Sequence, residues 1–315
     1  MTSGGPVVVL AGGTGGAKLA RGMLDVAGEE LVVVANTGDD VEIHGAYVSP
    51  DPDLITFWLA DRIDSRGWGL DGDTFAVMDG LRELGEDVWF NLGDRDLAIG
   101  VRRARRLREG ARPTEAQAEI AAALHVQARV LPMSDRPVRT RVLAGERWWP
   151  LQEFMIRRRG EGPVQDVDFR HARGAVPTPE VLEALRGARA IVIGPSNPVI
   201  SIGPILAVPG IAEAIRESPA PVVAVSPLVR GAVVKGPTAA CLAWAGHSVD
   251  SDGIADAYAG LIDGLVADTL PAAAELPTLQ TDVRLDTAQR RRAVAEATLT
   301  FATGLTRSQP GPTTV

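Results

Sequence analysis

A short apolar run, Val7 to Leu10, stops at Ala11-Gly12-Gly13-Thr14-Gly15-Gly16. Ala20, Met23, Leu24 and Ala27 then recur at spacings that place them on one helix face, and Leu31 to Ala35 is a second apolar, β-branched run. A strand, a glycine turn, a helix and a second strand within about 30 residues have few compact arrangements, and strand twist favours the right-handed βαβ crossover.

The same alternation continues. Leu54, Phe57, Trp58 and Ile63 predict a helix after Pro52, and Phe75, Met78 and Leu81 predict another running up to Gly85. Val88 to Leu92 reads as a strand ending at Gly93-Asp94-Arg95-Asp96, and Thr114 to Gln117 as a capping box opening a helix. Thr178-Pro179 opens a further helix that Gly187 closes. Ala190 to Ile193 and Pro221 to Val225 are strands ending in proline-bearing turns. The expected fold is α/β: a doubly wound, mostly parallel Rossmann-like sheet with an inserted, mainly helical lobe. Residues 1–100 and 186–305 would form the core, 101–185 the lobe and 306–315 a flexible tail. Asp286 to Phe301 looks helical and could pack on a neighbouring element or a second subunit.

Composition narrows the function classes. A net charge of −8 lacks the basic field of a general nucleic-acid binder. No run of 18 or more apolar residues predicts a membrane span, and Met1 to Pro6 lacks the basic and apolar regions of a secretory signal. The single cysteine, Cys241, excludes an internal disulfide, accords with a reducing cytoplasm and reads as a buried thiol. Arg102, Arg103, Arg105, Arg106 and Arg108 read either as a solvated helix face or as a rim that attracts a phosphorylated substrate. The four histidines, His44, His125, His171 and His247, have neither zinc-ligand spacing nor a nucleophile beside them. Phosphoryl chemistry aided by Mg²⁺ remains.

In an open parallel sheet, ligands collect at the carboxyl ends of the strands. Gly12, Gly13, Thr14 and Gly15 offer backbone N–H groups for a phosphate, with Lys18 one turn into the helix. The turn is neither a Walker loop nor Gly-x-Gly-x-x-Gly, so nicotinamide binding gains little support. Asn36-Thr37-Gly38-Asp39-Asp40 follows the second strand, where a carboxylate often meets a sugar or a metal; capping of the next segment by either aspartate is the alternative. Ser49-Pro50-Asp51-Pro52-Asp53 is a stiff acidic turn ahead of a helix, with Asp61 about two turns further along. Asp51 and Asp61 are the candidate metal and catalytic carboxylates; helix capping by Asp51 or Asp53, with Asp61 solvated, is the alternative. Asp94, Ser134 and Asp135 lie in further polar turns, and Gly194-Pro195-Ser196-Asn197-Pro198 presents a hydroxyl and an amide between prolines.

Taken in order, Ala11 to Gly16, Asn36 to Asp40, Ser49 to Asp53, Leu92 to Asp96, Leu131 to Asp135, Gly194 to Pro204, Val225-Ser226-Pro227 and Lys235-Gly236-Pro237 resemble the 2-phospho-L-lactate transferase family over roughly 7–268. Family members include phosphoenolpyruvate transferases of an actinobacterial branch. The resemblance implies a Mg²⁺-dependent homodimeric enzyme of coenzyme F(420) biosynthesis. Its acceptor would be a deazaflavin alcohol, its donor a guanosine diphosphate-linked three-carbon acid, and GMP the leaving group. It further implies deazaflavin contacts at Asp51 and around Asn91, and metal at Asp51 and Asp61. The donor nucleotide would face the glycine turn, Ser196, Asn197 and the Val234-to-Pro237 segment, which includes Lys235 and Gly236. Ile99-Gly100 stands where the family often has Thr-His, and Met155 follows Phe154 where an aromatic is common. A non-catalytic nucleotide-sugar-binding regulator of similar fold is the alternative reading.

Overall fold

Val7–Ala11 and Leu31–Ala35 are buried at every position, as strands covered on both faces must be. In the computed structural model, which describes residues 4–305, they are the first two strands of a seven-stranded sheet. In chain order we label β1 (Val7–Ala11), α1 (Gly13–Ala27), β2 (Leu31–Ala35), α2 (Pro50–Leu59), α3 (Asp94–Arg108), α4 (Pro113–Ala123), β3 (Arg129–Pro132), β4 (Ala190–Ile193), β5 (Val222–Val225), β6 (Gly264–Ala267), β7 (Thr278–Gln280) and α5 (Ala288–Gly304). The spatial order is β3-β2-β1-β4-β5-β6-β7, and every adjacent pair is parallel. The order reverses between β1 and β4, so a crevice opens there beyond the carboxyl ends.

Strand alternation divides the core. Val7 and Val9 face α1, α2 and α5 on one side, while Val8 and Leu10 face the helices Pro179–Arg186 and Ile211–Glu217 on the other. Helix α5, the segment that the sequence leaves without a place, packs along α1 and against β4 and β5. Among the described residues no single helix is long and apolar enough to cross a membrane. Cys241 is fully buried, and burial pushes its thiol up to about 11.

The α/β class with its doubly wound parallel sheet is as expected. Within 101–185, however, β3 belongs to the main sheet, and Arg139–Ala144 pairs antiparallel with both Arg147–Pro150 and Asp166–Arg170. This small sheet is disguised in the sequence by its arginines. Arg139–Ala144 alternates partly exposed and buried positions, the period of a strand with one wet face. Val88 to Leu92, by contrast, forms no strand; Val88, Phe90 and Leu92 pack on the hairpin Val41–Ile43/Ala46–Val48. The capping box is shifted: Arg112 is the N-cap residue, and Thr114 lies inside α4. The expected tail, 306–315, lies outside the described residues.

Candidate functional site

Three strand ends, those of β1, β2 and β4, build one polar crevice. Beyond β1, the chain enters α1 through Gly12 and Gly13. Beyond β2 it makes the loop Asn36–Asp40, which returns through the short hairpin to Ser49 and α2. The Asp51 carboxylate ties these together: Gly13 N donates to its Oδ1 at 2.6 Å, and Asn36 Nδ2 to its Oδ2 at 2.8 Å. Asn36 is oriented in turn by Gly38 N, which donates to its Oδ1 at 2.7 Å. From β4, the Ser196 hydroxyl accepts from Gly12 N at 3.3 Å. The bare Cα of Gly12 is what admits Asp51, since a Cβ there would lie 2.7 Å from Oδ2.

Two of the turn's N–H groups are therefore already used. Thr14 and Gly15, at the second and third helical positions, keep N–H groups without an intrahelical acceptor, and these are the ones open to a phosphate. Asn197 is mostly occupied as a cap: its Oδ1 accepts from Val199 N and Ile200 N at the start of a π-helical turn, Pro198–Ile202. Its amide donates to Thr238 Oγ1 at 3.3 Å.

Beside Asp51 lie Asp39 and Asp40. Burial raises the Asp39 carboxyl well above the usual range, and the charges of Asp51 and Asp40 raise it further. Gln152 donates to Asp39 Oδ2 at 2.8 Å, but among the described residues the buried Oδ1 has no hydrogen-bond partner, nor do the Thr37 and Thr140 hydroxyls. Burial likewise raises Asp51, against the hydrogen bonds from Asn36 and Gly13. Asp40 is pushed by burial up to about 6, opposed chiefly by Arg139 and by the Ser49 hydroxyl, which donates to it at 2.6 Å. A cleft of about 280 Å³ adjoins this group, lined by Thr37, Asp40, Tyr47, Ser134, Asp135 and Arg139.

Among the residues singled out by sequence, the structure gathers Gly12, Gly13, Asn36, Thr37, Asp51, Ser196 and Gly194 at the crevice. Ser134 and Asp135 reach the adjoining cleft while doing structural work: Ser134 donates to Val176 O, and Asp135 accepts from Thr114 N at 2.8 Å. Lys18 is partly buried over the Trp58 ring, 5.7 Å from its centroid, and has no carboxylate partner among the described residues. Burial and then Arg291 and Lys235 lower its pKa. Lys235 and Gly236 are exposed, and Met155 packs beside Gly236.

Three expected positions are elsewhere. Asn91 accepts from Arg82, and Asp94 caps the helix Ala76–Glu83 by accepting from Ala76 N and Val77 N at 3.0 Å. Asp61 is not brought to Asp51. The two sit at opposite ends of α2, roughly 15 Å of helix apart at 1.5 Å per residue. Asp61 pairs with Arg21 at 2.7 Å and lines a separate cleft with Asp25 and His125. The solvated reading of the arginine run also needs correction at one position, because Arg103 is 2% exposed and bound to Asp53. Asp39 and Asp40, in the acidic segment after β2, complete the crevice together with Thr140 and Gln152, which no local motif in the sequence marks.

Asp96 gives a pH test of this neighbourhood. It is partly buried and accepts no hydrogen bond among the described residues; burial first, then Asp53 and Asp73, raises it to about 7. The folded state therefore holds a proton that the unfolded chain, titrating near 3.8, has released. Its contribution is complete below pH ~4 and is lost as pH rises through 7, costing on the order of 1–3 kcal/mol after allowance for partial exposure. Asp96→Asn should leave Tm unchanged at pH 4.5 and raise it by a few degrees at pH 8; equal differences at both pH values in thermal denaturation would contradict this account.

The model of the family described as 2-phospho-L-lactate transferase CofD matches residues 7–300. A 2-phospho-L-lactate transferase of Methanosarcina mazei is 39% identical over 264 residues, covering 83% of this chain and 86% of that protein. A phosphoenolpyruvate transferase of Kitasatospora aureofaciens is 38% identical over 312 residues, covering 92% and 97%. Among solved structures, a member of the UPF0052 family from Bacillus halodurans superposes with a TM-score of 0.63 at 19% identity, covering 94% of this chain and 99% of that one. That likeness speaks to the fold alone.

Proposed function

Because the chain belongs to the 2-phospho-L-lactate transferase CofD family, we propose that it transfers a phospho-linked three-carbon acid from a guanosine diphosphate-type donor to a deazaflavin alcohol. The acid is 2-phospho-L-lactyl or enolpyruvyl phosphate, the names of the relatives being divided between the two. The acceptor is the ribityl hydroxyl of 7,8-didemethyl-8-hydroxy-5-deazariboflavin, GMP is released, and the product belongs to coenzyme F(420) biosynthesis. The reading also includes a cytoplasmic homodimer.

The observation that carries this reading is the placement of the Asp51 carboxylate against the head of α1. A diphosphate on the N–H groups of Thr14 and Gly15 would lie beside a carboxylate already oriented by Gly13 N and Asn36. The ribityl oxygen attacks the phosphorus bearing the acid, and the bond from that phosphorus to the GMP oxygen breaks. The hydroxyl proton passes to the Asp51 oxygen that is not engaged with a cation; burial makes this carboxylate a better base than an exposed aspartate. Lys18 supplies positive charge toward the departing phosphate.

Mg²⁺ fits the same residues. Asp39 and Asp51 crowd together, and among the described residues no donor reaches the buried Asp39 Oδ1. Among the described residues no three His, Cys, Asp or Glu side chains converge to hold a metal ion. A hard cation held by one or two carboxylates together with substrate phosphates suits Mg²⁺ better than an all-protein cage. Asp39 and Asp51 would hold it, and it would offset diphosphate charge.

Calorimetric titration with the deazaflavin alcohol, with and without Mg²⁺ and GDP, tests the reading. Micromolar binding that GDP alters supports an acceptor site next to a guanine nucleotide site. No binding under any of these conditions would favour the nucleotide-sugar-binding alternative.

A further inference from the structure

The turn that presents Asp51 is held by a buried group from a distant helix. Arg103, on α3, donates through Nη2 to Asp53 Oδ1 and through Nη1 to Asp53 Oδ2 at 3.0 Å. Its remaining donors reach Tyr47 O at 3.1 Å and Gln117 Oε1 at 3.0 Å, and Gln117 in turn donates to Thr56 Oγ1 at 2.8 Å. The guanidinium thus fastens the hairpin, α2 and α4 to α3. Asp53 passes the constraint to the turn, because its Oδ2 also accepts from Ser49 N at 3.3 Å. The Ser49 and Tyr47 hydroxyls, on the same stretch of backbone, both donate to Asp40.

We propose that Arg103 is a positioning residue for the transfer reaction: through Asp53 it fixes the Ser49-Pro50-Asp51 turn, and with it the distance of the Asp51 carboxylate from the glycine turn. The proposal rests on the function assigned above. A fork of five donors explains why the position holds an arginine, since lysine offers one mobile ammonium in place of two parallel bonds to Asp53. Among the described residues every hydrogen-bond partner of Arg103 lies in α2, α4 or the hairpin leading to Ser49, so the network converges on one turn.

Removing Arg103 alone would leave Asp53 buried and unpaired, and a loss of fold would then explain any loss of activity. The informative variant is the double replacement Arg103→Met with Asp53→Leu, which deletes both charges and keeps the volume apolar; such replacements are commonly neutral for stability. Arg103→Lys is made beside it. Three quantities are measured on the full chain: Tm, hydrogen–deuterium exchange of peptides covering 46–56, and steady-state GMP release. The expected result is a double variant with near wild-type Tm, faster exchange confined to Ser49–Asp53, and kcat reduced by about 30- to 100-fold with KM little changed, the scale set by displacements of about 1 Å. Arg103→Lys should show the same pattern in weaker form. Wild-type exchange and wild-type kcat in a stable double variant would overturn the proposal and leave Arg103 a fold residue only. If the wild-type chain releases no GMP, the functional reading fails, while the exchange data still decide whether Arg103 holds the turn.

Discussion

Asp51→Asn lowers kcat for GMP release by about a thousandfold, within the range of two to four decades expected when a positioned general base is removed. An asparagine can still accept from Gly13 N, so the head of α1 keeps its partner. It cannot take the hydroxyl proton, and it presents no full charge to a cation. Stability should change little, because relief of the like charges of Asp39 and Asp40 is offset where the new Nδ2 replaces the oxygen that accepts from Asn36 Nδ2. Asp61→Asn, made in parallel, leaves turnover unchanged and costs about 0–1 kcal/mol, the worth of an exposed ion pair with Arg21. Steady-state kinetics of the two variants separate the ends of α2. Equal losses would mean that the reaction uses both carboxylates and that α2 does not hold them apart during turnover.

Gly15→Ala should be a highly disruptive small change at the crevice. A Cβ at Gly15 would overlap the backbone carbonyl of Pro195, on the loop after β4. The obstacle is main chain, so no side-chain rotation relieves it, and α1 must move away from the loop that also supplies Ser196 to Gly12 N. Overpacking against backbone costs about 2–4 kcal/mol, and Tm should fall by about 5–10 °C. Guanine nucleotide affinity should fall with it, because the N–H groups of Thr14 and Gly15 lose their alignment. An unchanged Tm with unchanged GDP affinity would show that the two loops are not packed as described.

How far the sequence reveals this architecture depends on whether the information is local. Val7 to Leu10, Leu31 to Ala35, Ala190 to Ile193 and Val222 to Val225 are short apolar runs ending in turns, and each is a strand of the main sheet. Thr178 is legible as a cap for the same reason, its hydroxyl accepting from Val181 N three residues on. Arg103 is not legible locally. It sits in a run of arginines that includes side chains 53% and 72% exposed at Arg102 and Arg105, and only its pairing with Asp53, fifty residues earlier, buries it.

The site divides along the same line. Gly12, Gly13, Asn36, Asp51 and Ser196 fall at strand ends, where the topology of a parallel sheet brings separate loops together. Asp61 misleads because nearness in sequence resembles nearness in space, whereas a straight helix carries its two ends apart. Asp94 misleads because an acidic residue opening a helix looks the same whether it serves a ligand or caps a neighbour; here it caps. Thr140 and Gln152 come from the small antiparallel sheet and the helix between its second and third strands, which reach the crevice only once the chain has folded back over Asn36–Asp40.

The most direct test of the whole account is product analysis. The purified protein is incubated with the deazaflavin alcohol, Mg²⁺ and the guanosine diphosphate-linked acid, and the products are followed by mass spectrometry. The account predicts one GMP for each deazaflavin that gains the phospho-acid, and product formed about a thousandfold more slowly with Asp51→Asn. Release of GDP or inorganic phosphate with the deazaflavin unmodified would contradict it, because the bond broken would then not be the one between the acid-bearing phosphorus and GMP.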